Sequence, residues 1–69
     1  IELPRLNVYP NPAKDVLYFS QPVSGMLVDM YGKAVANFTN ASNINISSLA
    51  AGNYIFRAEG FKVEKIIIQ

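Results

Sequence analysis

Carboxylates offer the most obvious catalytic chemistry in this chain, and there are five of them. They are Glu2, Asp15, Asp29, Glu59 and Glu64. A glycosidase-like pair needs two carboxylates facing each other across a cleft, and these five are scattered along a domain too small to offer much cleft volume. Asp29 is expected to cap the turn at Gly32, and no aspartate-rich loop resembles a calcium site. The pattern therefore favours solvated strand faces and turn caps over a catalytic or metal site.

Nucleophilic chemistry has little support, because the 69 residues include no His and no Cys. The serines lack the commonest activating base, and disulfides and thiolate zinc sites are excluded. A Ser–Lys dyad stays open as an alternative, although the spacing does not place Lys14 or Lys33 beside a serine. We expect no catalytic residue, no metal and no cofactor.

The composition is that of one small globular domain. Hydrophobic residues make up 51% of the chain and the formal net charge is +1. This balance argues against an electrostatic binder of nucleic acid or membrane surface. No apolar run approaches the roughly 18 residues that span a bilayer. Residues 1–4 look like the end of a linker, and residues 5–69 are predicted to form the domain.

Two short motifs restrict the backbone conformation where they occur. Tyr9-Pro10-Asn11-Pro12 predicts a rigid turn, because each proline fixes its own φ and drives the preceding residue toward extended geometry. Leu49-Ala50-Ala51-Gly52-Asn53-Tyr54 predicts a strand that begins at a glycine with positive φ. Each motif is weak evidence by itself, and both are interpreted as structural.

Alternating hydrophobicity predicts about seven short strands separated by turn signals, the pattern of an antiparallel sandwich. Gly32-Lys33 is expected to be a hairpin turn. Residues 21–25 are expected to form a turn, and residues 39–43 a polar loop. Residues 47–52 are the least strand-like stretch and are expected to hold at most one helical turn. The strands are expected at 6–9, 15–20, 26–31, 34–38, 43–46, 53–59 and 62–69. The side chains expected to face inward are Val8, Leu17, Phe19, Val28, Met30, Val35, Ile44, Ile46, Leu49, Tyr54, Phe56 and Ile67.

Surface features leave some alternatives open. Four tyrosines could line a sugar-binding face, of which Tyr18 and Tyr31 are expected to be the most exposed, although strand aromatics more often pack in the core. Three N-glycosylation sequons begin at Asn37, Asn40 and Asn45, and we interpret them as ordinary loop composition.

The last strand, 62–69, has apolar residues on both faces, so Ile66 and Ile68 compete with Val63 and Ile67 for the core. It is either an exposed edge strand that accepts a partner strand or an ordinary strand buried on one face. The residues do not decide between these two alternatives.

Four blocks, in order, carry a resemblance to a known family. They are 8–17 around Tyr9-Pro10-Asn11-Pro12, 28–35 with Asp29-Met30-Tyr31-Gly32-Lys33, 46–54 ending in Gly52-Asn53-Tyr54, and 65–69. Together they resemble the type A C-terminal sorting domain of the type IX secretion system of Bacteroidetes, the Por secretion system tail family. A departure is the alternation Lys62, Glu64, Lys65, where many members end more uniformly basic.

This resemblance implies an immunoglobulin-like sandwich at the C-terminus of a larger cargo. Such a domain directs periplasmic cargo to the outer-membrane translocon and its shuttle components, and a sortase-like peptidase then removes it at the cell surface, leaving the cargo attached or released. By match to the motifs, the residues implied in recognition are Gly32, Lys33, Gly52, Lys65, Ile66, Ile67, Ile68 and Gln69. The implied structural residues are Tyr9, Pro10, Asn11, Pro12, Leu49 and Tyr54.

Two other functions are weighed against this one. A small immunoglobulin-like accessory module could bind carbohydrate or stabilise a neighbouring catalytic domain. An independent enzyme is disfavoured by the small size and by the lack of His and Cys. Neither nucleic-acid binding nor stable membrane insertion is expected.

Overall fold

The computed structural model describes residues 3–69, which form five strands joined by turns. The strands are β1 (Val8–Tyr9), β2 (Val16–Asp29), β3 (Ala34–Asn45), β4 (Gly52–Ala58) and β5 (Glu64–Ile68). Their order is β1-β2-β4-β5, with β3 paired to β2, and every strand pair is antiparallel. The predicted all-β antiparallel class is confirmed. Across residues 3–69 there is no helix of a length and apolarity that could cross a membrane.

The expectation of seven strands is corrected to five, because two pairs of predicted strands are each continuous. The predicted turn 21–25 lies inside β2, and the predicted polar loop 39–43 lies inside β3. Proline and glycine within a strand mark bulges or close backbone approach as well as turns, and the β2–β3 register shifts between Tyr18, Val23 and Gly25. These residues bend the strand instead of ending it.

The bend lets β2 contribute to two parts of the sheet. Val16–Tyr18 pairs with the end of β3, and Gly25–Asp29 lies between the start of β3 and β4. The Phe19 ring centroid consequently lies 4.8 Å from that of Phe56 and 5.3 Å from that of Phe38. The sheet folds over a single apolar core, with these three rings packed against one another.

Most of the side chains predicted to face inward do so. Leu17, Phe19, Ile46, Tyr54 and Phe56 are buried in the core. Val8, Val35, Ile44 and Leu49 are partly buried and pack against the core.

Three of the core predictions are wrong. Met30 is 61% exposed because it follows the end of β2, and Ile67 is 41% exposed because Ile66 and Ile68 take the inner face of β5. The predicted faces of this part of β2 are reversed. Leu27 is fully buried opposite core residue Phe56, whereas Val28 pairs with Ile55 on the other face of the strand and lies outside the core cluster. The remaining buried side chains that were missed are Leu6, Ala13, Val23, Phe38 and Ala58.

The segment before β4 is held by local hydrogen bonds. The Leu49 amide donates to the Ile46 carbonyl (3.0 Å), which closes a single turn where one helical turn was expected. Gly52 has a φ of 154° and begins β4. The Tyr54 hydroxyl donates to the Ala50 carbonyl at 2.6 Å, which joins two residues within the Leu49–Tyr54 motif.

A glycine is required at position 25 because the backbones of β2 and β4 approach each other closely there. The requirement does not come from a positive φ. A Cβ at this position would lie 1.9 Å from the Arg57 carbonyl oxygen and 2.8 Å from the Ala58 Cα. Both of these atoms belong to the β4 backbone, which cannot move aside as a flexible side chain can. The close β2–β4 pairing after the bend therefore depends on a glycine.

We predict that Gly25→Ala lowers the free energy of unfolding by about 3 kcal/mol, the upper part of the range for overpacking. The matched control is Gly32→Asn, at a turn with a φ of 87° and no atom within 4 Å of an added Cβ. Because asparagine tolerates that conformation, we expect a loss below about 1 kcal/mol. Urea denaturation measures both, and equal stability of the two variants would contradict the prediction.

Candidate functional site

The outer edge of β5 is covered by the residues that follow Tyr9-Pro10. The side chain of Asn11 donates to the Lys65 carbonyl and accepts from the Ile67 amide, both at 3.1 Å. The Ala13 amide donates to the Ile67 carbonyl, and the Gln69 amide donates to the Ala13 carbonyl, both at 2.8 Å. Asn11 and Ala13 together thus satisfy four consecutive outward-facing backbone groups of the last strand.

Asn11 can fill this role because its amide presents one acceptor and one donor, as a backbone peptide does. The flanking prolines have no amide hydrogen to offer, and both peptide bonds that precede them are cis. Ala13, which is 1% exposed, then forms a parallel bridge with Ile68. The rigid turn predicted from Tyr9-Pro10-Asn11-Pro12 is therefore the structural cover of β5.

This arrangement answers the question that the sequence left open about the last strand. β4 occupies one side of β5, and Asn11 and Ala13 occupy the other. The alternative of an edge with free backbone groups between Lys65 and Gln69 is wrong. Any recognition of folded β5 must use its exposed side chains and not its backbone.

The side chains of β5 divide cleanly between the core and solvent. Ile66 and Ile68 are 1% and 2% exposed, whereas Ile67, Lys65 and Gln69 face outward. Two of the five predicted recognition residues in this strand, Ile66 and Ile68, thus belong to the core.

Glu64 lies opposite core residue Phe56, and its Oε1 atom is 2.9 Å from Nε of Arg5. The Arg5 side chain is 73% exposed, so this ion pair contributes at most about 1 kcal/mol to stability.

The β2–β3 hairpin is fixed by Asp29. Its Oδ1 atom accepts hydrogen bonds from the amides of Tyr31 (2.8 Å) and Lys33 (2.9 Å), and Gly32 takes a positive φ of 87°. The predicted capping role of Asp29 and the predicted hairpin are both confirmed. The cap holds a tip on which Tyr31 is 96% exposed and Met30 is 61% exposed.

Strand register brings several predicted residues to one end of the sheet. Asp29 pairs with Tyr54, Tyr54 pairs with Ile66, and Gly52 pairs with Ile68. The hairpin tip beyond Asp29 therefore lies level with the start of β4 and the end of β5. At about 4.8 Å per strand, the tip and β5 are on the order of 10 Å apart.

We call this end of the sheet the hairpin-end surface and define it as Met30–Lys33, Gly52–Asn53 and Ile67–Gln69. It includes the predicted residues Gly32, Lys33, Gly52, Ile67 and Gln69, together with buried Ile68. Lys65 lies further along β5, opposite Ile55. Sequence reasoning missed Met30 and Tyr31 as part of this surface, and the Asp29 cap was the signal that could have identified them.

The four tyrosines do not form one platform. Tyr9 and Tyr18 stack at a centroid distance of 5.9 Å and are 52% and 44% exposed. Tyr31 lies on the hairpin tip, and Tyr54 is buried. The expected exposure of Tyr18 and Tyr31 is confirmed, but only the Tyr9–Tyr18 pair offers neighbouring exposed rings. Within residues 3–69, no three acidic, His or Cys side chains cluster to form a metal site.

Comparison with known families identifies one family that covers most of the chain. Residues 7–69 match the model of a family described as the secretion system C-terminal sorting domain. Because the match covers almost the whole chain, the protein belongs to this family of sorting domains. It is a C-terminal sorting domain of the type IX secretion system. No curated protein and no solved structure gives a significant match.

We predict that Asn11→Asp lowers the free energy of unfolding by about 1–3 kcal/mol. The carboxylate keeps the acceptor for the Ile67 amide, but it loses the donor and faces the Lys65 carbonyl. Amide hydrogen exchange should accelerate most at Ile67 and Gln69. Asn37→Asp, at an exposed position in β3, is the control and should leave both measurements nearly unchanged. Unchanged protection at Ile67 in the Asn11 variant would contradict the structural role.

Proposed function

We propose that the secretion machinery recognises this sorting domain in its folded state, through the hairpin-end surface. The observation that carries the proposal is the register that groups Gly32, Lys33 and Gly52 with the end of β5. These positions are separate in the sequence, and they are the ones that the family motifs mark for recognition.

The exposed chemistry of the surface supports this proposal. Tyr31, Met30 and Ile67 are 96%, 61% and 41% exposed, and Lys33 places one positive charge beside them. Aromatic residues and methionine are enriched at the centres of protein interfaces. The Asp29 hydrogen bonds fix the tip before binding, which reduces the ordering entropy that association costs.

An immunoglobulin-like arrangement is the fold that we assign to this scaffold. Its support is the folding of β2 and β3 over one core, together with the hydrogen bond from Tyr54 to the carbonyl four residues earlier. Immunoglobulin-like sandwiches use a tyrosine at the start of a strand in this way. The scaffold carries out no catalysis in our proposal and needs no cofactor.

The remaining steps of the route follow from the family. A cargo fused before the domain reaches the periplasm and is passed by shuttle components to the outer-membrane translocon. A sortase-like peptidase then removes the domain, and the cargo stays at the cell surface or is released outside.

Carbohydrate binding by an accessory module remains the second candidate, because Tyr9 and Tyr18 present two stacked, half-exposed rings. A glycan array separates the two functions. Glycan binding by the domain that is lost in Tyr18→Ser would favour the accessory module, and no binding to any glycan on the array would contradict it.

The export hypothesis predicts a specific effect of surface substitutions. Residues 1–69 are fused to the C-terminus of a periplasmic reporter in a host with a type IX system. Tyr31→Ser combined with Ile67→Asn should lower export at least about tenfold, as expected when interface hot spots are lost. Both side chains are exposed, so the Tm of the domain should change little.

The matched control is Tyr18→Ser combined with Val63→Asn, which replaces an exposed tyrosine and an exposed aliphatic residue outside the hairpin-end surface. Export of this control should match the unsubstituted fusion. Deleting Lys65–Gln69 is less informative, because it also removes Ile66 and Ile68 from the core. Normal export of a folded Tyr31/Ile67 variant would overturn the proposed surface.

A further inference from the structure

The second half of β3 is an unprotected strand edge. β3 pairs with β2 alone, and the outer edge of residues 41–45 has no hydrogen-bond partner within residues 3–69. Proteins usually protect such edges with charges, proline or a covering segment. The β5 edge has its cover, and β1 is two residues long and is followed by Pro10. β3 has 12 residues and includes neither a charged residue nor a proline.

The hydrogen-bond pattern identifies which backbone groups of β3 point outward. The Ile46 amide donates to the Asp15 carbonyl at 2.8 Å, so the groups of Ile46 face β2. Orientation alternates along an antiparallel strand, and therefore the amide and carbonyl of Asn45 and Asn43 face away from β2. The register of residues 43–45 against Val16–Tyr18 is regular, which leaves this part of the edge straight enough to accept another strand.

We propose that a second copy of this chain occupies this edge, with the two β3 strands antiparallel and Asn43 opposite its own counterpart. In this register Ala41 lies opposite Asn45 of the other copy, so the outward backbone groups of one β3 strand face those of the other. The layer formed by β1, β2 and β3 in each copy then joins its counterpart in one six-stranded layer. This inference concerns a surface separate from the hairpin-end surface and stands independently of the export proposal.

The chemistry of the edge favours a copy of itself. Residues 34–56 contain no charged side chain, so antiparallel self-pairing opposes no like charges. Tyr9 pairs with Tyr18, and Tyr18 pairs with Asn43. Across the two-fold axis, the exposed row of Tyr9, Tyr18 and Asn43 in one copy therefore continues into Asn43, Tyr18 and Tyr9 of the other copy. The two central amides can hydrogen-bond to each other across the axis.

Sedimentation equilibrium of the full 69-residue chain tests the association. We expect a reversible monomer–dimer equilibrium with a dissociation constant on the order of 0.1–1 mM, since a single strand pairing makes a small interface. A mixture of ¹³C-labelled and unlabelled chains should give intermolecular NOEs between the β3 strands, centred on Asn43. A chain that stays monomeric throughout this range overturns the proposal and leaves the edge for a different partner strand.

A charge exchange at Asn43 tests the register, because only a residue on the two-fold axis faces itself. Asn43→Lys alone and Asn43→Asp alone should each weaken dimerisation about tenfold or more, and an equimolar mixture should restore it as a heterodimer. Asn37→Lys, exposed on the first half of β3, is the control and should leave dimerisation nearly unchanged. Dimers that persist in the Asn43→Lys variant, or a mixture that fails to associate, would rule out this pairing.

Discussion

The hydrogen bonds between Asn11, Ala13 and β5 join the two ends of the chain and close the last strand into the fold. Without them β5 would be held on one side only, and Ile66 and Ile68 would lose the support that keeps them in the core. A chain of this size buries only about 60% of its unfolded surface, so one loose strand removes a large share of its stability. The cover also satisfies the outward backbone groups between Lys65 and Gln69, so that they are not available to pair with another strand in the folded domain.

The bend in β2 is the second constraint on the structure. It allows one strand to pair with β1 at one end and with β4 at the other, so that Phe19 packs on Phe56 across the core. The pairing of β2 with β4 beyond the bend in turn depends on Gly25, whose missing side chain lets the β4 backbone pass close by. Because its strands are long and bent, the short chain forms a folded-over sheet without the extra connecting segments that separate strands would require.

The two proposed functions, sorting and self-association, involve different parts of the surface. The Asp29 cap presents Tyr31 at the hairpin end, where Gly52 and Ile67 also lie. The outer edge of β3 lies on a different part of the molecule and is uncharged. Sorting and self-association would therefore use separate residues, so that each can be altered without the other.

Local chemistry in the sequence determined the strand character, the Asp29-capped hairpin and the strand start at Gly52, because these depend on residues close together along the chain. The family motifs could also be identified from the sequence alone. The sequence could not determine that Pro22 and Gly25 bend a strand, since proline and glycine mark turns and bulges alike. The register with β4 decided which face of β5 is buried, and Asn11 and Ala13, more than 50 residues away, decided what covers its edge. Hydrogen bonds at that separation leave no periodic signal, so only the tertiary structure could decide them.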